Sequence, residues 1–206
     1  MTLRVVVSLA AAVLVLGACG TTNGGTPVPV TSVPSAPPSG SVDEVPGPGV
    51  PKVANPIDMT RFDRAPCEAL TPAQVAGLLG SEAETKPELD APAGPTCNWE
   101  APGRSGIGVI FGHLDRRGLT SVYAAKGSAY PFVEPLEPVD GYPLVAYDGV
   151  GDQRARGECT VAVGTSDTQA IDISVNQSEK NIGKSDSCQA ARQVTAMVLD
   201  NARNGN

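Results

Sequence analysis

One histidine, few charged residues and no apolar run long enough to cross a bilayer set the first limits on this 206-residue chain. A membrane-spanning helix needs roughly 20 apolar residues. The longest run here, Val5 to Leu16, is well short of that and is followed within a few residues by Thr21, Thr22 and Asn23. His113 is the only imidazole, and it follows an apolar stretch and precedes Asp115, Arg116 and Arg117, which suits a solvent-facing strand end better than a general base. Charged residues make up 18% of the chain, with 15 Lys and Arg against 22 Asp and Glu, for a net charge of −7. Phosphate backbones would be repelled by that balance, so no nucleic-acid partner is expected. Catalytic motifs are equally scarce. Gly103-Arg104-Ser105-Gly106 lacks the spacing of a nucleophile elbow. Gly183-Lys184-Ser185 resembles the end of a phosphate loop, but Ser178 stands where the upstream glycine is required. Asp148-Gly149-Val150-Gly151-Asp152 falls short of a calcium loop and reads as a turn. No catalytic residue, metal ligand or cofactor is expected.

What is present begins at the N-terminus. Arg4 gives a positive start, Val5 to Leu16 an apolar core, and Gly17-Ala18 the small residues a signal peptidase needs. The run ends in Leu16-Gly17-Ala18-Cys19, which resembles the lipobox of bacterial lipoproteins. The resemblance implies removal of residues 1–18 as a signal peptide and a diacylglyceryl group on Cys19. The mature chain would then be anchored to the extracytoplasmic face of the cell membrane by its acyl chains and would not span it.

Residues 19–57 are rich in Gly, Thr, Pro, Ser and Val, as in Thr26-Pro27-Val28-Pro29-Val30, and show neither helical nor strand periodicity. Such a stretch buries too little apolar surface to offset its ordering entropy, so a disordered, partly extended tether is expected there. The folded domain is placed at residues 58–206, enough for a single core.

Within the domain, Thr71-Pro72-Ala73-Gln74 combines an N-cap, proline at the first helical position and a capping-box glutamine. Val75, Leu78 and Leu79 share one face and Gly80 ends the helix. Strands are expected at Thr96–Glu100 and Gly106–Phe111, a short helix at Thr120–Lys126, and strands at Leu144–Tyr147, Cys159–Val163 and Ala170–Asn176. In the last of these Ile171, Ile173 and Val175 alternate with Asp172, Ser174 and Asn176, as in a sheet with one wet face. Pro131 to Pro143 is too rich in proline to be expected in either regular state. A final helix from Ser187 to Arg203 carries an apolar stripe of Ala191, Val194, Met197 and Val198. The fold class is α+β, with a largely antiparallel sheet of about five strands and two to three helices.

With Cys19 lipidated, four cysteines remain, an even number that reads as disulfides outside the cytoplasm. The sequential pairing, Cys67–Cys97 with Cys159–Cys188, ties strand to helix edge over short loops. The nested pairing, Cys67–Cys188 with Cys97–Cys159, is the alternative.

Pro66-Cys67-Glu68-Ala69-Leu70-Thr71-Pro72, Cys97-Asn98-Trp99, Cys159-Thr160-Val161-Ala162-Val163 and Asp186-Ser187-Cys188 follow one another in that order. Together with the lipobox-like start, they resemble an actinobacterial lipoprotein family that carries a DUF3558 domain, a domain of unknown function. The resemblance implies location and architecture; it brings no activity and no catalytic residues.

Three function classes are open: a non-catalytic envelope module that binds a lipid, a glycan or a protein; a structural or regulatory domain without a small-molecule ligand; and an enzyme acting on envelope material. The single histidine and the missing triad weigh against the enzyme. A monomer is expected. Phe132, Leu136 and Tyr142, set among prolines, either lid the core or offer a contact surface. Arg154 and Arg156 lie in a loop nearby, and arginine forks suit a carboxylate or phosphate. An amphiphilic anionic partner would fit both features, whereas a solvated turn is the plainer reading of the arginine loop.

Overall fold

The computed structural model describes residues 44–112 and 115–205. Cys19 and His113 lie outside the described residues. The elements run in the order α1 (Pro72–Leu79), β1 (Glu84–Glu88), β2 (Thr96–Glu100), β3 (Gly106–Ile110), α2 (Thr120–Ala124), β4 (Phe132–Val139), β5 (Tyr142–Asp148), β6 (Glu158–Ser166), β7 (Gln169–Asn176) and α3 (Ser187–Asn204). The strands form one antiparallel sheet in the order β1-β2-β3-β7-β6-β5-β4. The sheet has seven strands where about five were expected; β1 and β4 are the additions.

Both additions are edge strands and both contain proline. In β4, Pro135 sits opposite Val145 and Pro138 falls at the irregularity between Leu136 and Val139. A proline cannot donate to a ladder, but an edge strand needs donors on one side only. The expectation that proline keeps Pro131 to Pro143 out of the sheet is therefore corrected. Asp140 and Gly141 both take positive φ, 51° and 85°, and close a two-residue turn between the paired Val139 and Tyr142. That is the backbone a tight β-hairpin demands, and Asp-Gly supplies it with little strain.

The inner face of the sheet carries the main core. Trp99, Val109, Phe111, Val161, Val163, Ile171 and Ile173 are buried there with Ala191, Val194, Val198 and Leu199 of α3. Each fully buried large side chain contributes about 1.5–3 kcal/mol relative to exposure, so the α3 stripe alone fixes that helix to the sheet. Phe62 stacks on Phe111 with ring centroids 4.7 Å apart. Asp186 caps α3, accepting hydrogen bonds from the backbone N–H of Cys188 and Gln189 at 2.7 and 3.2 Å. The structure forms the sequential disulfides, Cys67–Cys97 and Cys159–Cys188, with Cα atoms 5.0 and 5.1 Å apart.

The outer face is not uniformly wet. Leu119 and Val122, on and before α2, pack with Val133, Val145 and Ala162 in a second cluster. Residues assigned to the tether by composition join the body: the N–H of Gly47 donates to Thr120 Oγ1, that of Val53 to Asp167 Oδ1, and that of Ile57 to the Thr165 carbonyl. The packed body thus reaches back to at least Gly47, ahead of the expected start at residue 58. Asp172, expected on a wet face, is partly covered and accepts a 2.8 Å hydrogen bond from the Tyr147 hydroxyl. Burial pushes its carboxyl up to about 6, while the tyrosine bond pulls the other way.

Candidate functional site

Among the described residues, an open groove of about 1000 Å³ lies on the inner side of the sheet, beside β1. One wall is the short 3-10 turn Pro66–Ala69 followed by the start of α1. Local sequence builds this wall closely. Thr71 Oγ1 accepts from the Gln74 N–H at 3.3 Å while Gln74 Oε1 accepts from the Thr71 N–H at 2.8 Å, a complete capping box. The opposite wall is β1, where Thr85 and Pro87 line the groove. These two residues pair with Trp99 and Cys97 of β2. Trp99, only 1% exposed, and the Cys67–Cys97 disulfide therefore lie at the junction of the two walls.

The lining is chiefly apolar: Leu70, Val75, Ala76, Ala83 and Leu89 contribute, and Arg64 and Glu68 are its charged members. Leu89 is 51% exposed, one of two large apolar residues left so open among the described residues. Arg64 is exposed and makes no ion pair among the described residues.

A buried polar joint holds the first wall to α3. Asn201, 5% exposed, donates through Nδ2 to the Ala69 carbonyl and to Gln74 Oε1, each at 2.8 Å. Gln74 Nε2 donates back to Asn201 Oδ1 at 3.3 Å, and Arg61 Nη2 donates to the Asn201 carbonyl at 2.7 Å. The guanidinium of Arg61 also lies over the Phe62 ring, 4.4 Å from its centroid. The wall is therefore carried by the last turns of the chain, over 120 residues away in sequence.

The residues singled out from sequence lie elsewhere. Phe132 and Leu136 of β4 are half-buried against the main core, and Tyr142 of β5 is buried in it. Arg154 is committed within the fold: it donates to both oxygens of Glu134 at 3.1 and 3.0 Å and to both oxygens of Asp152. Its guanidinium also lies 5.3 Å from the Phe132 ring centroid. Those bonds hold the Arg154 cation above its ordinary pKa and the Asp152 carboxyl below its own. An incoming anion would have to displace two carboxylates. Arg156 remains exposed, 3.9 Å from Glu158, and lines a separate pocket of about 210 Å³ with Arg104. The structure thus brings Arg154 and Phe132 together, but as a closed contact. Asp148 is used locally, accepting from the Val150 and Gly151 N–H groups.

Sequence alone does not mark Arg64, Val75, Leu89 or Asn201 as site residues. No group of three or more His, Cys, Asp and Glu able to hold a metal occurs among the described residues. None of the helices among them is long and apolar enough to cross a membrane.

No curated protein and no solved structure matches the chain. The profile of the family described as Protein of unknown function (DUF3558) matches residues 14–201. With the match running through the groove walls, both disulfides and α3, the chain belongs to the DUF3558 family.

Proposed function

We propose that the protein is a lipid-anchored, extracytoplasmic binding module without catalytic chemistry of its own, tied to the membrane through Cys19 and presenting the groove beside β1 as its ligand seat. Support for the address comes from the lipobox-like Leu16-Gly17-Ala18-Cys19 and from a family match that starts at residue 14, within the apolar run. Two disulfides fit an oxidising compartment. The binding reading is carried by one observation: an apolar groove of about 1000 Å³ whose walls are locked by a disulfide, a capping box and a buried amide joint. Ligand seats are commonly concave, mostly apolar and largely pre-formed.

The reading is tested on the chain released from its own membranes. Fractionation should find the wild type with the membrane and Cys19→Ala released or mislocalised. Native mass spectrometry should then show a bound non-covalent mass in the wild type that is lost when Thr85→Phe fills the groove. An intact mass of the wild type showing an unmodified Cys19 would refute the anchor. Absence of any bound mass, or a mass indifferent to Thr85→Phe, would refute the ligand seat.

A further inference from the structure

We propose that the groove takes a lipid with a single hydrocarbon tail and a carboxylate or phosphate head, the tail lying on Leu70, Val75, Leu89 and Trp99 and the head beside Arg64. This rests on the groove being a ligand seat and names the class of ligand.

Three observations choose the class. Leu70, Val75 and Trp99, nearly closed to water, give the groove an apolar floor, and Leu89, 51% exposed, stands at its rim, so a hydrocarbon chain would rest on an apolar floor and cover Leu89 surface that now faces water. An extended peptide is the natural competitor, because β1 is an edge strand and the groove runs beside it. Strand addition, however, draws its affinity from main-chain hydrogen bonds. Pro87 offers no donor, and Glu84, Lys86 and Glu88 place charges along the same five-residue strand. Those are the devices by which edge strands resist pairing. A hydrocarbon tail asks for no hydrogen bonds and is indifferent to them.

The sign of the head follows from Arg64. The cation of β1 is already occupied, since Lys86 Nζ lies 2.6 Å from Glu100 and 3.6 Å from Glu84. Arg64 is the cation of the lining, is exposed, and is unpaired among the described residues. Its planar fork matches a carboxylate or phosphate with two parallel hydrogen bonds. Glu68 lines the same groove and sets the control, because an anionic head should gain when that charge is removed.

Trp99 is the only tryptophan in the chain and it lines the groove, so heavy-atom quenching of its fluorescence reads occupancy directly. The full chain carrying Cys19→Ser, which has no acyl chain of its own to compete, is titrated with bromine-labelled dodecanoate, dodecanol and dodecyltrimethylammonium below their micelle-forming concentrations. Dodecanoate should quench saturably and bind tightest. Arg64→Glu should weaken it about fivefold, the scale of an exposed ion pair, and Glu68→Gln should tighten it. Ala76 is exposed on α1, so Ala76→Phe should fill the groove without disturbing the fold and weaken binding at least about tenfold. Thr85→Phe on the opposite wall serves if Ala76→Phe does not fold. Equal quenching by all three heads, unmoved by Arg64→Glu, overturns the anionic lipid but leaves the ligand seat standing. Binding of an extended apolar peptide with none of dodecanoate overturns the lipid class in favour of a protein. No quenching by any probe overturns both this proposal and the reading beneath it.

Discussion

Replacing Asn201 by alanine tests the joint that holds the groove wall in place. In the native protein its amide satisfies the Ala69 carbonyl and the Gln74 side chain, and the residue is 5% exposed. Truncation removes the donor from a buried carbonyl, a loss of about 1–3 kcal/mol. Gln74 keeps its cap on the Thr71 N–H and, being half-buried, can turn its freed donor to water, so its share is smaller. The Arg61 bond survives, because it is made to the Asn201 backbone carbonyl. A total of about 2–3 kcal/mol is expected, and with a urea m-value of about 2 kcal/mol/M the midpoint falls by about 1–1.5 M. Urea titration followed by Trp99 fluorescence measures it, since that indole is nearly closed to water in the native state and becomes exposed on unfolding. Gln74→Ala alone should cost about 1 kcal/mol through the cap. The double variant should show a coupling of at least about 0.5 kcal/mol, as residues in one network do. A loss below about 0.5 kcal/mol for Asn201→Ala, or strict additivity with Gln74→Ala, would refute the joint.

Three other outcomes follow from the same geometry. Removing Cys67–Cys97 by paired alanines should cost about 3–4 kcal/mol and also weaken groove occupancy, whereas removing Cys159–Cys188 should cost a similar amount and leave occupancy intact below the melting temperature; paired melting and Trp99 quenching measurements separate the two. Asp172 titrates near 3.8 when unfolded and at about 6 when folded, so the fold holds a proton that the unfolded chain has released. Its contribution is fully present below pH 3.8 and is lost as pH rises through about 6. Tyr147→Phe removes the bond that favours the carboxylate, so the Asp172 pKa read by carboxyl NMR should rise further and the loss should extend to higher pH. Arg154→Ala should lower stability by about 1 kcal/mol, by opening a partly exposed cluster with Glu134 and Asp152, and leave quenching by dodecanoate unchanged.

How much of this was legible in the sequence depends on how local each signal is. The capping box at Thr71–Gln74, the alternation from Ile171 to Val175 and the stripe of the last helix are set by near neighbours, and all three stand in the structure. The α+β class and the antiparallel sheet follow from them. The prolines of β4 argue against a strand, although Asp140-Gly141 between two apolar runs is a strong hairpin signal, and a proline-bearing strand belongs at an edge. β1 had nothing to show: all five residues are exposed, so no burial pattern exists to be written in the sequence. The groove was hidden for a different reason. Its lining comes from residues 64–76, 80–89 and 99, and long-range pairing alone brings them together. Asn201 did leave a trace, since it continues the spacing of Val194 and Val198 along the buried stripe of α3. A polar residue at such a position asks for a partner. The arginine loop misled because composition shows a cation but not its neighbours: Glu134, twenty residues away, takes Arg154.

The central claim is that this domain's ligand seat is the groove between α1 and β1, and not the β4 end of the sheet. Amide and methyl NMR of the full chain carrying Cys19→Ser, with and without dodecanoate, tests it most directly. Saturable shifts at Leu70, Val75, Ala83 and Leu89, with Phe132, Tyr142 and Arg156 unmoved, are the predicted result; shifts centred on the latter three, or none at the groove, would contradict it.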